Sequence, residues 1–198
     1  KFYRKDSTVI YPPVEITNSK SQIPNKFQSS KFKTEYFLTG GRIARPKNID
    51  LIVKTFAKLG LPLKVFGRSF AGHDSLFMIH NSNIEFLGEV SDEEKLELMK
   101  NAKAFVFAAE DEDFGITPVE AMSVGTPVIA YKSGGVLETI TDSSGLFFDK
   151  LTIDSLSKAI KEFVKLKFDR ELIISHAQKF SKERFIEEIK EFVESKLG

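Results

Sequence analysis

The chain has 198 residues, of which 41% are hydrophobic, enough for one ordinary domain with a sizeable core plus a short extension, and too apolar for a disordered chain. With 29 basic against 28 acidic residues the formal charge is +1, so no global field draws nucleic acid or a membrane surface, and any bound anion must be held locally. The absence of cysteine excludes disulfides and thiolate metal sites and fits a cytoplasmic protein.

In chain order, Lys1 stands where a methionine would open a complete protein, which points to a piece of a longer one. Residues 8–14, Thr-Val-Ile-Tyr-Pro-Pro-Val, read as a short strand stopped by two prolines. Residues 17–34 are rich in Ser, Lys, Asn and Gln without a sustained period and read as an exposed linker. The main domain is expected to span 36–198, after a leading segment and linker at 1–35. From Tyr36 onward, β-rich runs at 36–39, 63–66, 84–87, 104–108, 128–131 and 146–148 alternate with helical stretches at 49–59, 91–101, 118–123 and 136–141. Ser91 with Glu94 three residues later forms a capping box that marks one helix start. The alternation predicts an α/β fold with a doubly wound, Rossmann-like parallel sheet, and the unalternating Val-Phe-Ala-Ala run suits a strand buried on both faces. The tail reads as helical. Leu156, Ile160, Phe163 and Val164 make one apolar stripe, and Phe185, Ile189, Phe192 and Val193 make another on a last helix capped by Ser181; both are expected to be core. No apolar run is long enough to span a bilayer, and nothing at the start reads as a signal peptide.

In a doubly wound sheet, ligands bind outside the carboxyl ends of the strands, so the loops after the strands carry the information. The first holds Gly40 and Gly41 followed by Arg42, Arg45 and Lys47: a tight turn with cations suited to phosphate, or a helix start with solvated charges. Neither GxGxxG nor GxxxxGK[ST] occurs, so a NAD site and a P-loop are unsupported. The second runs Glu110-Asp111-Glu112-Asp113-Phe114-Gly115-Ile116-Thr117-Pro118-Val119-Glu120. Thr117 reads as the N-cap and Pro118 as the first helical residue, which would aim free N–H groups at an anion. The carboxylates beside it suit a ligand rich in hydroxyls. Thr117 and Glu120 also have capping-box spacing, so Glu120 is read either as a ligand group or as part of the cap. Asp111-Glu112-Asp113 matches a D-x-D metal pattern, a weak signal. The third loop, Ser133-Gly134-Gly135 before Glu138, brings backbone close to a ligand or simply makes the turn.

Together these tracts resemble the C-terminal domain of glycosyltransferase family 4, which has the GT-B fold. Glu112 to Glu120 matches the family's E-x7-E signature with Phe-Gly inside it, and residues 121–130 with Gly134, Gly135 and Glu138 continue the match. Gly41-Arg42-Ile43 with Lys47 resembles the G-R-[LI] loop and its lysine. Asn83-Ile84-Glu85-Phe86-Leu87-Gly88 resembles the strand before the base-binding loop, and Ile10-Tyr11-Pro12-Pro13-Val14 the crossover into this domain. The resemblance covers most of residues 9 to 197 in the right order.

It implies a nucleotide-sugar-binding half of a retaining transferase that works without a metal and without a cofactor. Arg42 and Lys47 would neutralise the diphosphate leaving group, helped by the backbone at Gly41 and Gly67. Glu112 would hold hexose hydroxyls, the backbone of Phe114, Gly115, Ile116 and Thr117 would meet sugar and phosphate, and Glu120 would accept from the ribose. Gly88 and Val90 would flank the base. The tract is most similar to mannosyltransferases of polysaccharide assembly, which suggests GDP-mannose ahead of a UDP-sugar. A GT-B enzyme needs two domains, so an N-terminal acceptor domain is an expected partner and this chain alone should bind donor without transferring sugar. The expected location is cytoplasmic, with peripheral association at the inner face of the membrane left open for the full-length enzyme. Three other readings stay open here: a nucleotide-sugar epimerase on the same fold, a non-catalytic binding module, and a metal-dependent GT-A enzyme using the D-x-D.

Overall fold

The computed structural model describes residues 7–16, 35–42, 45–68 and 81–197; the linker read at 17–34 and Ile43 and Ala44 of the first glycine loop lie outside these. Six strands, β1 (Phe37–Gly40), β2 (Leu63–Phe66), β3 (Ile84–Gly88), β4 (Phe105–Phe107), β5 (Val128–Tyr131) and β6 (Gly145–Phe148), form one parallel sheet in the order β3-β2-β1-β4-β5-β6. The connecting helices are α1 (Ile49–Leu59), α2 (Asp92–Lys100), α3 (Ile116–Ser123) and α4 (Val136–Thr139), followed by α5 (Ile153–Phe163), α6 (Arg170–Ala177) and α7 (Lys182–Leu197).

Because side chains alternate across a strand, neighbouring residues of β4 feed opposite cores: Phe105 packs with Leu38, Met99, Val119, Met122 and Ile173 under α2, α3 and α6, whereas Val106 packs with Phe37, Ile52, Phe56 and Ile160 under α1 and α5. Both faces are covered, as the unalternating apolar runs require. The helix starts are set by local chemistry. Ser91 and Glu94 exchange both bonds of a capping box, Thr152 accepts from the Ser155 N–H, and Asp169 accepts from the N–H groups of Glu171 and Leu172.

Residues 8–14 do not form the expected strand. Only Val14 pairs, in a bridge to Ser181 with its N–H on the Phe180 carbonyl at 2.8 Å, because Pro12 and Pro13 have no donor to extend the ladder. The tail stripes differ from each other. Leu156, Ile160 and Phe163 are core, but Val164 is 65% exposed, and no residue of α7 is buried. Ile173, Ala177 and Phe180 already fill that side of the core, so α7 is left with no sheet surface to cover. Ser181 does begin α7, accepting from the Arg184 N–H through its hydroxyl.

Candidate functional site

The strand order reverses between β1 and β4, so the loops that follow these two strands diverge and leave a crevice at the carboxyl edge of the sheet. Two hydrogen bonds lock one loop to the other. The Glu110 N–H donates to the Pro46 carbonyl at 2.9 Å, and the Asn48 side-chain amide donates to the Ala108 carbonyl at 3.0 Å. Asn48 sits at the N-cap of α1 in a left-handed conformation, φ 47° and ψ 37°, and makes no side-chain cap bond, which leaves its amide for this link.

Across the crevice the Lys47 ammonium forms an ion pair with the Glu112 carboxylate, with side chains 23% and 28% exposed. The Lys47 nitrogen also lies 5.5 Å from the centre of the Phe107 ring. The sequence places these residues 65 apart; the fold makes them partners. Arg42 is exposed on the same loop as Lys47.

The backbone around the crevice is tightly layered. The Gly41 N–H donates to the Phe66 carbonyl, and the Gly67 N–H to the Gly88 carbonyl. A Cβ on Gly67 would overlap the Gly41 carbonyl, so only glycine lets the loops after β1 and β2 approach this closely. On the other side the Gly134–Gly135 turn seats under the acidic loop. The Gly135 N–H donates to the Glu112 carbonyl at 2.7 Å, and a Cβ on either glycine would run into the backbone of Glu112 or Asp113. At the outer rim Arg68 and Glu89 pair at 3.6 Å, both well exposed, beside Gly88 and Val90.

The helix start after β4 differs from the expectation. α3 begins at Ile116 with Gly115 as its N-cap, at φ 84°, so Thr117 is not the cap and the Thr117–Glu120 capping box does not form. A left-handed glycine turns the chain into the helix two residues earlier than a side-chain cap at Thr117 would. The opening N–H groups of α3 nevertheless stand at the crevice, as any helix start leaves them. The Phe114 ring turns inward, where it meets Tyr11 at 5.8 Å and Phe180 at 5.5 Å between ring centres; only its backbone reaches the site.

Freed from a cap, the Glu120 carboxylate accepts instead from Lys95 of α2 at 2.9 Å. Lys95, Asn48 and Tyr11, whose hydroxyl donates to Glu138 at 2.8 Å, are residues that sequence reasoning missed. Their partners are distant in the chain, and only the fold shows the pairing. Asp111 is exposed at φ 50°, and among the described residues no group of three His, Cys, Asp or Glu side chains is placed to hold a metal ion. No described helix is long and apolar enough to cross a membrane. The crevice thus offers two cations on one side and carboxylates with a helix start on the other, a layout for a ligand carrying both phosphate and hydroxyls.

Comparison with known proteins identifies the family. Residues 22–183 match the family described as glycosyl transferases group 1. The human alpha-1,3/1,6-mannosyltransferase ALG2 is 29% identical over 95% of this chain, and the Saccharomyces cerevisiae protein of the same name is 27% identical over 71%. The chain spans about half the length of the human relative, 52%, and 36% of the yeast one. Among solved structures, a glycosyltransferase from Rickettsia africae superposes with a TM-score of 0.81 at 20% identity, covering 96% of this chain and 57% of that one. Anabaena HepE, solved in complex with UDP and glucose, superposes at 0.78 and 20% identity, covering 95% and 57%. With a family match over most of its length and a six-stranded parallel sheet in the same fold, this chain belongs to the glycosyl transferases group 1 family.

Proposed function

We propose that this chain is the donor-binding half of a retaining glycosyltransferase that moves a hexose, mannose, from GDP-mannose to a glycan or lipid-linked acceptor. The observation that carries the reading is the Lys47–Glu112 pair at the switch point, which sets a phosphate-binding cation against a hydroxyl-binding carboxylate across one crevice. The mannosyltransferase relatives, aligned over most of this chain, support the sugar.

Transfer breaks the bond between the anomeric carbon and the β-phosphate oxygen, and negative charge collects on the departing diphosphate. Arg42, Lys47 and the opening N–H groups of α3 stabilise that charge without needing a metal. Glu112 takes the hexose hydroxyls once Lys47 has turned to the phosphate. Gly41 and Gly67 let the backbone close on the diphosphate, Gly88 and Val90 flank the base, and Glu120 accepts from the ribose. Relatives are about twice as long, so the acceptor comes from a second domain, and this chain binds the donor without completing transfer. The full enzyme works at the cytoplasmic side.

Calorimetric titration with GDP, UDP and GDP-mannose, with and without a chelator, tests this. GDP should bind more tightly than UDP, and equally well with chelator. Failure of every nucleotide to bind would overturn the reading, and loss of binding on chelation would return the acidic tripeptide to a metal role.

A further inference from the structure

We propose that Lys95 is a positioning residue that aims one oxygen of Glu120 at the ribose hydroxyls of the donor, and that ribose recognition therefore depends on a side chain of α2. This rests on the donor-binding reading above and adds to it the group that makes Glu120 selective.

The Lys95 ammonium donates to Glu120 Oε1 at 2.9 Å and to Asp92 Oδ1 at 2.9 Å, two of the three bonds it can make. Asp92 is 88% exposed, whereas Lys95 and Glu120 are 17% and 18% exposed, so the bond to Glu120 is the sheltered one. Burial would draw the Lys95 pKa down, but its hydrogen bonds to Asp92 and Glu120 outweigh this and hold it above the ordinary lysine value. The same bond holds Asp92 below its usual range. Lys95 therefore carries its charge at neutral pH.

Placement gives the pair its role. The capping box at Ser91 starts α2 directly after the Gly88–Val90 loop, and Gly115 starts α3 directly after the acidic loop, so both helices begin at the same edge of the sheet. Lys95 lies one turn into α2 and Glu120 one turn into α3, bridging the two helices beneath the crevice. Glu120 Oε2 has no hydrogen-bond partner among the described residues. A carboxylate pinned through one oxygen and open at the other is prepared to accept from neighbouring hydroxyls, as on a ribose. Fixing it beforehand avoids freezing a flexible glutamate on binding.

A plain helix-to-helix bridge predicts something different, and a ribose readout separates the two. GDP and 2′-deoxy-GDP are titrated against the wild-type chain, Lys95→Met and Lys95→Arg, with thermal melts confirming that each variant folds. Wild type should favour GDP roughly tenfold, the size expected for a hydrogen bond to a charged acceptor. Lys95→Met should lose most of that preference while binding 2′-deoxy-GDP within about threefold of wild type, and Lys95→Arg should recover part of it. A full preference retained in Lys95→Met would overturn the proposal and leave Lys95 a structural bridge. Equal wild-type binding of the two nucleotides would also overturn it, with donor binding intact. Wild type that binds neither nucleotide would remove the donor-binding reading itself, and this inference with it.

Discussion

Lys47 and Glu112 meet across the point where the sheet reverses its strand order, one from the loop after β1 and the other from the loop after β4. Each is the other's partner in the structure, yet each is assigned to a different part of the same ligand. On the proposed reading, donor binding exchanges one ion pair for two sets of contacts, Lys47 with phosphate and Glu112 with sugar. The exchange leaves both charged groups hydrogen-bonded in either state, which matters because leaving one member of a half-buried pair without a partner is costly.

From this it follows that the two partners should respond to substitution with opposite signs. Lys47→Met should weaken GDP by about 1.5–3 kcal/mol, the range for a hydrogen bond to a charged group, and guanosine hardly at all. Arg42→Ala should follow the same pattern. Glu112→Gln should leave GDP as tight or slightly tighter, because Lys47 is released, while removing the extra affinity of GDP-mannose over GDP. Calorimetry with the three ligands measures all of this. If both substitutions weaken GDP alike, the ion pair holds the crevice open and neither residue has the proposed contact.

The glycine pair under the acidic loop gives a prediction about stability. Gly135→Ala should be destabilising even though its backbone, at φ −64° and ψ −16°, suits alanine, because the added methyl group would press on the backbone of Asp113 and Phe114. The cost is expected at about 1–3 kcal/mol or more, from overpacking alone. For a domain of this size that lowers the melting temperature by roughly 2–4 °C per kcal/mol. A melting temperature within 1–2 °C or so of wild type would mean that the loop yields freely.

How much was legible depended on whether the signal was local. Strand runs such as 63–66 and 128–131, and the helix at 49–59, carry their periodicity in adjacent residues and coincide with β2, β5 and α1. The loops at the carboxyl edge were legible too, because glycine and charge after a buried run mark that edge of a sheet. What stayed hidden was any pairing between distant residues. Glu120 has capping-box spacing in the sequence, but Gly115 starts the helix first and Lys95, 25 residues upstream, takes the carboxylate. Periodicity likewise shows that α7 has an apolar face but not whether any surface is left for it to cover. Ile189 and Val193 therefore read as core and are exposed.

Tyr11 joins the leading segment to the site. Its ring packs on Phe114 and Phe180, its hydroxyl donates to Glu138, and its carbonyl accepts from Arg184 of α7 at 2.9 Å. Tyr11→Phe removes only the hydroxyl bond and should cost about 0.5–1.5 kcal/mol, with nucleotide affinity unchanged. Tyr11→Leu also removes the aromatic contacts beneath Phe114 and should weaken GDP several-fold as the acidic loop loosens. Equal GDP affinity in wild type and Tyr11→Leu would show that the ring supports the fold without shaping the site.

The last prediction concerns Lys64, buried in β2 with 2% of its side chain exposed. Its ammonium lies 4.1 Å from the centre of the Tyr36 ring and 3.9 Å from Glu85. Burial lowers the Lys64 pKa from the ordinary 10.5, and the Glu85 charge only partly offsets this. Between the lowered folded value and 10.5 the unfolded chain holds a proton that the folded chain has released, so stability rises with pH across that interval. Below the interval both states carry the charge, and the burial penalty is present in full. Tyr36 acts in the opposite direction at higher pH. Burial raises its pKa, so the unfolded chain ionises first and stability falls above about 10. Comparing wild type with Lys64→Met removes the tyrosine contribution, since both chains keep it. Urea unfolding of the two at pH 7, 8, 9 and 10 should show Lys64→Met at its greatest relative advantage at pH 7 and wild type gaining on it as pH rises. A difference that stays constant across the series would mean that Lys64 carries its charge as easily in the folded sheet as in water. The Tyr36 ring and Glu85 would then compensate the burial completely.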